Sequence, residues 1–271
     1  MHKAGIASGD IPHDTPVLTT DGSYHPIATS LHVVRPFLFP RYYPDEWLQF
    51  IRPENIRVTL EFRETESGAL VDEFPLVPKV YAHPTRDVAV MFADLQAISN
   101  ASVSGENRDL DIVAVAGRVA LLENCYKFKL ATDEGACSPG DELAFGGHLL
   151  NTEPHEEDCV PLPAIVTGTM VRSFPPPQEL ILAETEVVLQ PGMCGGPVVN
   201  QDGACVGMIE GVVQNAAAAT IDSGDSNDEV RDGMAAVMPA SVVESLLLEA
   251  IDGRGGERHH PPHDDSVTPP P

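Results

Sequence analysis

The segment PGMCGGPVVN, residues 191 to 200, surrounds one cysteine with glycines and has the residue types of a nucleophile on a tight turn. A thiolate is a strong nucleophile, and glycines beside Cys194 let the backbone adopt positive φ and approach a substrate closely. The backbone N–H groups of Gly192 and Cys194 could then point at an oxyanion that develops on an attacked carbonyl. A buried structural thiol is the alternative, and the turn alone leaves both interpretations open.

An acyl-transfer site also needs a base, and a carboxylate that holds this base in one tautomer. The chain has 10 histidines and 41 acidic residues, so their number does not select a pair. His32 ends the apolar run HPIATSLHVV, and Asp87 opens the apolar segment DVAVM, where an acid can lie at the rim of a core and face a histidine. His32 and Asp87 are therefore the candidate base and acid. A buried core histidine and a strand-end cap are the alternatives.

Other histidines and cysteines give little indication of a metal site. His148, His155 and Cys159 lie in HLLNTEPHEEDC at irregular spacing, and the chain has no C-x-x-C pair of the kind that binds zinc. The histidines of the C-terminal segment GRGGERHHPPHDDSVTPPP could hold a metal loosely, but this composition favours a solvated tail. We predict neither a metal site nor a cofactor.

The charge of the chain limits its partners. Lys and Arg total 16 against 41 Asp and Glu, which gives a formal net charge of −25. Such a surface repels phosphate backbones and anionic lipid, so neither nucleic acid nor a membrane is expected as the main partner. No stretch approaches the ~18 apolar residues of a membrane span, and the first residues lack the apolar core of a signal peptide.

The cysteines indicate the redox setting. They number five, an odd and sparse set for 271 residues, which favours free thiols in a reducing compartment over a disulfide framework. We therefore expect an intracellular protein. The five positions are Cys125, Cys137, Cys159, Cys194 and Cys205.

Short apolar runs between turn residues predict an all-β body. They span 56–62, 87–92, 111–117, 142–147, 164–171, 185–189, 197–213 and 234–239. Within 197–213, the triplet Gln201-Asp202-Gly203 predicts a hairpin turn.

The ends of the chain have a different pattern. Residues 241–251 have apolar side chains at helical spacing after Ser241, a plausible N-cap, and predict one short helix. The polar segments 1–16 and 253–271 cannot bury enough surface to offset their ordering entropy and are expected to be tails. One folded unit then spans 17–252.

The segments around the three candidate residues resemble the chymotrypsin-fold peptidases, and within them the HtrA-type branch. ATSLHVV resembles the T-x-x-H-V-V segment around the base, and RDVAVM resembles the segment around the orienting acid. PGMCGGPVVNQDGACVGM resembles the P-G-x-S-G-G-P motif and its following hairpin. PGDELAFGG and MAAVMPASVVESLL resemble the strand before the nucleophile and the closing strand and helix. The order His, Asp, nucleophile is also the family's.

The resemblance implies a chymotrypsin-like double β-barrel, split near 125–140, with the site in the cleft between two six-stranded barrels. It implies that Cys194 stands in the place of the nucleophilic serine, as in the picornaviral cysteine proteases, with His32 as base and Asp87 as its orienting acid. Gly192 and Cys194 supply the oxyanion hole. The expected activity is endopeptidase hydrolysis of a peptide or protein substrate through a thioester.

The same resemblance implies where the substrate binds. It assigns Val188 to the base of the primary pocket, where trypsin-like enzymes keep a carboxylate for basic side chains. The far wall comes from residues 208 to 211, which are Met208, Ile209, Glu210 and Gly211. These residues predict a preference for a small or medium apolar side chain. The alternative function is a non-catalytic module of the same fold that binds a peptide or protein in the cleft.

Overall fold

A computed structural model of the chain describes residues 9–10, 24–40, 42–43, 45–64, 67–94, 128–133, 135–150, 161–176, 179–190, 192–214 and 232–253. The predicted strand 111–117 lies outside these residues. Of the two predicted tails, only 9–10 and 253 lie within them.

The first half of the chain forms small sheets of two or three strands. Its strands are β1 (Gly9–Asp10), β2 (Tyr24–Thr29), β3 (Thr59–Arg63), β4 (Leu70–Pro75), β5 (Tyr81–Ala82), β6 (Ala89–Asp94) and β7 (Phe128–Lys129). They are arranged as a three-stranded sheet in the order β2-β6-β5, a β3-β4 hairpin, and a parallel β1-β7 pair. Phe74 and Leu60 of the hairpin pack on Ile27 and Ala93 of the larger sheet. The contact between these two sheets is therefore made mainly by buried side chains.

Helical turns follow β2 in the chain. Helix α1 (Leu31–Val34) is a single turn, and three 3-10 turns span Pro36–Leu38, Glu46–Phe50 and Pro53–Asn55. Prolines at the starts of the first and third of these turns have the fixed φ that suits such a position.

The second half forms a closed six-stranded barrel. Its strands are β8 (Glu142–Leu150), β9 (Pro161–Phe174), β10 (Leu180–Thr185), β11 (Pro197–Asn200), β12 (Cys205–Val212) and β13 (Ala235–Pro239). They are hydrogen-bonded in the order β10-β13-β12-β11-β8-β9, and every pair is antiparallel. The hairpin turn predicted at Gln201-Asp202-Gly203 joins β11 to β12.

The last element, helix α2 (Ala240–Ile251), joins the two halves. Its apolar face, including Val243, Leu246 and Leu247, packs in one core with Val90 of β6 and Met208 of β12. Burial of this face removes apolar surface from water on both sides of the cleft. The predicted all-β class with a short C-terminal helix is confirmed.

Three details differ from the sequence-based expectations. The described part of the first half is not a closed six-stranded barrel, because β4 pairs only with β3 and meets β6 through one isolated bridge, Leu76 with Ala93. The predicted strand 185–189 is wrong beyond Thr185, where the chain leaves the barrel and Val187 and Val188 are exposed. Helix α2 begins one residue before Ser241, so that Pro239, with extended backbone, is its N-cap.

In the described part of the chain, no helix has the length and apolarity needed to span a membrane.

Candidate active site

The contact between His32 and Asp87 joins helix α1 to the loop before β6. The backbone N–H of His32 donates to Oδ1 of Asp87 at 2.8 Å, and Nδ1 of the His32 ring contacts Oδ2 of the same carboxylate. The Leu31 backbone N–H donates to the Asp87 carbonyl at 3.4 Å. Both side chains of the pair are nearly buried, at 7% exposed for His32 and 11% for Asp87. The single turn α1 thus holds the ring of His32 in one orientation.

The ring of His32 is hydrogen-bonded to two partners. Nδ1 faces Asp87, and the Cys194 side chain shares a second hydrogen bond with the ring. Burial opposes the charged form, but the hydrogen bonds and negative charges of Asp87 and Cys194 outweigh it and raise the pKa of His32 to about 9. His32 therefore holds its proton at neutral pH while it lies between a carboxylate and a thiol.

Three aromatic rings surround His32, and the sequence analysis assigned none of them to the site. Tyr42 stacks on the imidazole with centroids 5.1 Å apart and an interplanar angle of 6°. Phe39 meets the same ring edge to face at 5.9 Å, and Tyr43 lies tilted at 6.2 Å. The backbone N–H groups of Tyr42 and Tyr43 both donate to the Phe39 carbonyl, which fixes the two tyrosines beside the histidine.

The turn that holds Cys194 is bonded to the barrel on both sides of the cysteine. The N–H of Gly195 donates to the Ile209 carbonyl at 2.9 Å, and the N–H of Ile209 donates to the Gly196 carbonyl at 2.8 Å. The N–H of Met193 donates to the Gln190 carbonyl at 3.2 Å. Cys194 is a half-buried free thiol at the centre of this turn.

Glycine is required here because two backbones pass very close to each other. A Cβ on Gly196 would lie 1.9 Å from the Gly146 carbonyl oxygen, and one on Gly147 would lie 2.8 Å from the Met193 Cα. Gly195 has φ of 84°, and a Cβ there would lie 2.7 Å from Oγ1 of Thr29, at the end of β2. The glycines therefore let the cysteine turn approach both β8 and the strand that precedes His32.

The two predicted oxyanion donors differ from their neighbours in the hydrogen bonding of their backbone N–H groups. Within the described residues, the backbone N–H groups of Gly192 and Cys194 have no backbone acceptor, whereas those of Met193, Gly195 and Gly196 each donate to a carbonyl. Gly192 has φ of 102°, a positive value that glycine adopts more readily than any other residue. The turn thus leaves the N–H groups on the cysteine and two residues before it available to a ligand.

The predicted pocket residues differ in how far they are exposed. Val188 is 59% exposed, and its Cγ2 lies 3.5 Å from the position that a Cβ on Gly233 would take. Met208 and Ile209 are buried, Met208 against helix α2 and Ile209 inside the barrel. Gly211 faces open space, since a Cβ there would meet no atom within 4 Å. Val188 and Gly211 are thus the members of the predicted set that are open to a ligand.

Glu210, the remaining predicted pocket residue, is paired with a cation. Nη2 of Arg86 donates to Oε2 of Glu210 at 2.9 Å, and Nη1 of Arg86 donates to the Glu179 carbonyl at 3.1 Å. Arg86 directly precedes Asp87, so this contact connects the acid's loop to β12. The carboxylate of Glu210 is neutralised within the protein and is not free to select a basic side chain.

The other two described cysteines, Cys137 and Cys205, have raised pKa values. Burial and the negative charge of Asp141 raise the pKa of Cys137 to about 11. Burial also raises the pKa of Cys205 to about 11, against the effect of backbone hydrogen bonds. Neither thiol forms a reactive thiolate near neutral pH.

His148 lies beside the oxyanion turn. Its backbone N–H donates to the Gly192 carbonyl at 3.4 Å, and burial together with the charge of Arg63 lowers its pKa. His155 and Cys159, which the sequence groups with it, lie outside the described residues. Among the residues that are described, no group of His, Cys, Asp and Glu is arranged to hold a metal ion.

Comparison with known proteins finds similar structures only. No family model matches the chain, and no curated protein does. The HtrA-type protease AlgW with a decapeptide is 13% identical, with a TM-score of 0.47 over 85% of this chain and 49% of AlgW. AlgW with a tripeptide is 14% identical, with a TM-score of 0.47 over 84% of this chain and 52% of the other.

A third similar structure is the apo MamO protease domain from Magnetospirillum magneticum. It is 14% identical, with a TM-score of 0.41 over 81% of each chain. The chain spans about half the length of the AlgW chains that it matches. Because fold alone does not determine function, the chemistry of the site depends on the residues described above.

Proposed function

We propose that the protein is a trypsin-like, cysteine-type endopeptidase in which Cys194, His32 and Asp87 form the catalytic triad. The observation that carries the proposal is the continuous contact from Asp87 through the His32 ring to Cys194. A nucleophile, a base and an orienting acid in contact form the arrangement that acyl transfer requires. All three side chains are chemically competent for these roles.

In the proposed reaction, the proton of the Cys194 thiol passes to His32 before Sγ of Cys194 attacks the carbonyl carbon of a peptide bond. The oxyanion that forms accepts hydrogen bonds from the N–H groups of Gly192 and Cys194. His32 then donates the proton to the leaving nitrogen, the C–N bond breaks, and a thioester remains on Cys194. Water, deprotonated by His32, attacks the thioester and releases the acid.

The raised pKa of His32 supports this assignment. An imidazole with a pKa of about 9 is protonated at neutral pH and stabilises a thiolate beside it. Asp87 contributes in two ways, because its carboxylate fixes the ring orientation and favours the charged form of the ring. His32 is therefore protonated and can donate to the leaving nitrogen.

The open edge of β12 is the proposed path for the substrate backbone. Strand β11 pairs with β12 only as far as Met208, and Ile209 bonds to the cysteine turn. From Glu210 onward this edge has no partner strand within the described residues. An extended peptide can add to such an edge by main-chain hydrogen bonds, and the exposed Val188 favours a small or medium apolar side chain in the primary pocket.

The proposal is tested by the rate at which each thiol is alkylated by iodoacetamide at neutral pH, with the adducts located by mass spectrometry. We expect Cys194 to react at least about tenfold faster than Cys137 or Cys205. His32→Ala should slow Cys194 alone, and His25→Ala on strand β2 is the matched control. Equal rates for all thiols, or no effect of His32→Ala, would rule out an activated Cys194 and favour a binding module.

A further inference from the structure

Tyr42 is stacked on His32 and is also open to solvent. One face of its ring stacks on the imidazole, yet the side chain is 61% exposed, so its opposite face borders solvent. Burial and the negative charges of Asp87, the Cys194 thiolate and Glu210 raise the pKa of Tyr42. The tyrosine is therefore within electrostatic reach of the triad on one side and of β12 on the other.

Several contacts hold the ring in this place. The Tyr42 N–H donates to the Phe39 carbonyl at 3.0 Å, and the rings of the two residues meet edge to face at 5.9 Å. Phe39 in turn contacts the His32 ring. An aromatic ring with two torsions and such support is a rigid wall, and a substrate must fit beside it.

The geometry of strand addition determines which part of a substrate meets this wall. Successive side chains of an extended peptide point to opposite faces. If the residue whose carbonyl is attacked points toward Val188, the preceding residue points the other way, across the cleft toward His32. Because Tyr42 covers one face of the His32 ring, a side chain that approaches this face meets the tyrosine first.

We infer that Tyr42 is a specificity-determining residue that restricts the substrate residue preceding the attacked one to a small side chain such as glycine or alanine. The inference rests on the proposed function and adds the substrate class to it. A bulky side chain at this position would have to displace a ring packed on both His32 and Phe39, or leave the edge of β12. Either displacement reduces binding in the transition state.

The test uses electrophilic peptides that differ only in the residue preceding the warhead-bearing one, which is glycine, alanine, leucine or phenylalanine. The measured quantity is the second-order rate of Cys194 modification in the wild type, Tyr42→Ala and Tyr42→Phe. Phe50→Ala is the matched control, because Phe50 is also an exposed aromatic residue, at 74%, in the same segment of chain. Melting temperatures verify that each variant is folded.

We expect the wild type to favour the small residues by at least about tenfold. Tyr42→Ala should remove this preference by accelerating the leucine and phenylalanine peptides, whereas Tyr42→Phe and Phe50→Ala should retain it. The rate with iodoacetamide, which carries no such residue, should stay within about threefold in Phe50→Ala. Each peptide rate is divided by the iodoacetamide rate of the same variant, which removes any effect of the substitution on the thiol itself. A wild type without the preference, or an unchanged preference in Tyr42→Ala, overturns the inference.

Failure of the proposed function can be distinguished from failure of the inference about Tyr42. If Cys194 reacts with no electrophile, the endopeptidase proposal fails, and the dissociation constants of the matching unreactive peptide amides are measured by calorimetry instead. The wild type must then bind the glycine and alanine peptides more tightly than the leucine and phenylalanine peptides, and Tyr42→Ala must lose this preference. If either result is absent, the role of Tyr42 is overturned as well.

Discussion

Asp87 holds His32 by two separate contacts, although the two residues are 55 positions apart. One carboxylate oxygen accepts the backbone N–H of His32, and the other meets Nδ1 of its ring. The first contact fixes the start of helix α1, and the second fixes the tautomer and the charge of the imidazole. The acid is thus part of the local structure that presents the histidine.

This double contact predicts the effect of Asp87→Asn. The new side-chain amide can still accept the backbone N–H of His32 through its oxygen. It favours the wrong tautomer of the His32 ring, however, and it lacks the negative charge of the carboxylate. We expect kcat/KM for a cleaved peptide to fall by about 10³ to 10⁴ while the fold is retained. Asp202→Asn, in the exposed β11–β12 turn, is the control and should leave kcat/KM unchanged. A loss of less than tenfold in Asp87→Asn would contradict the assigned role.

The raised pKa of His32 predicts how stability depends on pH. A pKa of about 9 in the folded state, against 6.5 for an unperturbed histidine, means that the folded protein binds this proton more tightly. The resulting stabilisation, about 3 kcal/mol, is fully present below pH ~6.5 and is lost as the pH rises through about 9. Urea unfolding across this range measures it. Asp87→Asn should flatten the decline, and an equally steep decline in that variant would refute the coupling.

The contact between Gly196 and Gly146 predicts the result of adding one methyl group. In Gly196→Ala the new Cβ would lie 1.9 Å from a backbone oxygen, so one of the two segments must move. We expect the free energy of unfolding to fall by at least about 2 kcal/mol and the reactivity of Cys194 to decrease. Gly211→Ala, where the Cβ has open space, should unfold like the wild type. Equal stability of both variants would contradict the close approach.

The ion pair of Arg86 and Glu210 predicts coupling between the acid's loop and β12. The two side chains are 14% and 25% exposed, so water screens the pair only in part. A double-mutant cycle with Arg86→Gln and Glu210→Gln should give a coupling energy of about 1 kcal/mol. We also expect kcat/KM to fall about tenfold in Arg86→Gln, because the loop that carries Asp87 loosens. A coupling energy of zero would contradict the predicted coupling between the acid's loop and β12.

The sequence predicts the parts of the molecule that depend on local patterns. Short apolar runs identify the barrel strands other than β10, and the helical spacing near the end identifies α2. The glycines around Cys194 are predictable because a turn that passes so close to another backbone tolerates no Cβ. His32 and Asp87 could be selected because the segments around them resemble a known pair.

Other features depend on contacts between distant segments. Tyr42 lies in a segment rich in proline and aromatic residues that is typical of a loop, and no local signal indicates that its ring stacks on His32. Arg86 and Glu210 are 124 positions apart, and opposite charges at such separation are common in an acidic chain. The apolar Val187 and Val188 suggested a strand, yet the chain leaves the barrel there to reach the cysteine turn.

The most direct test of the proposed activity is mass spectrometry of the intact protein mixed with an activated peptide ester and, separately, with a peptide that it cleaves. The triad predicts an acyl adduct on Cys194 that forms in the wild type, disappears as acid product is released, and is absent from Cys194→Ala. Release of product at the same rate by the wild type and Cys194→Ala, or an adduct on another residue, would contradict the proposal.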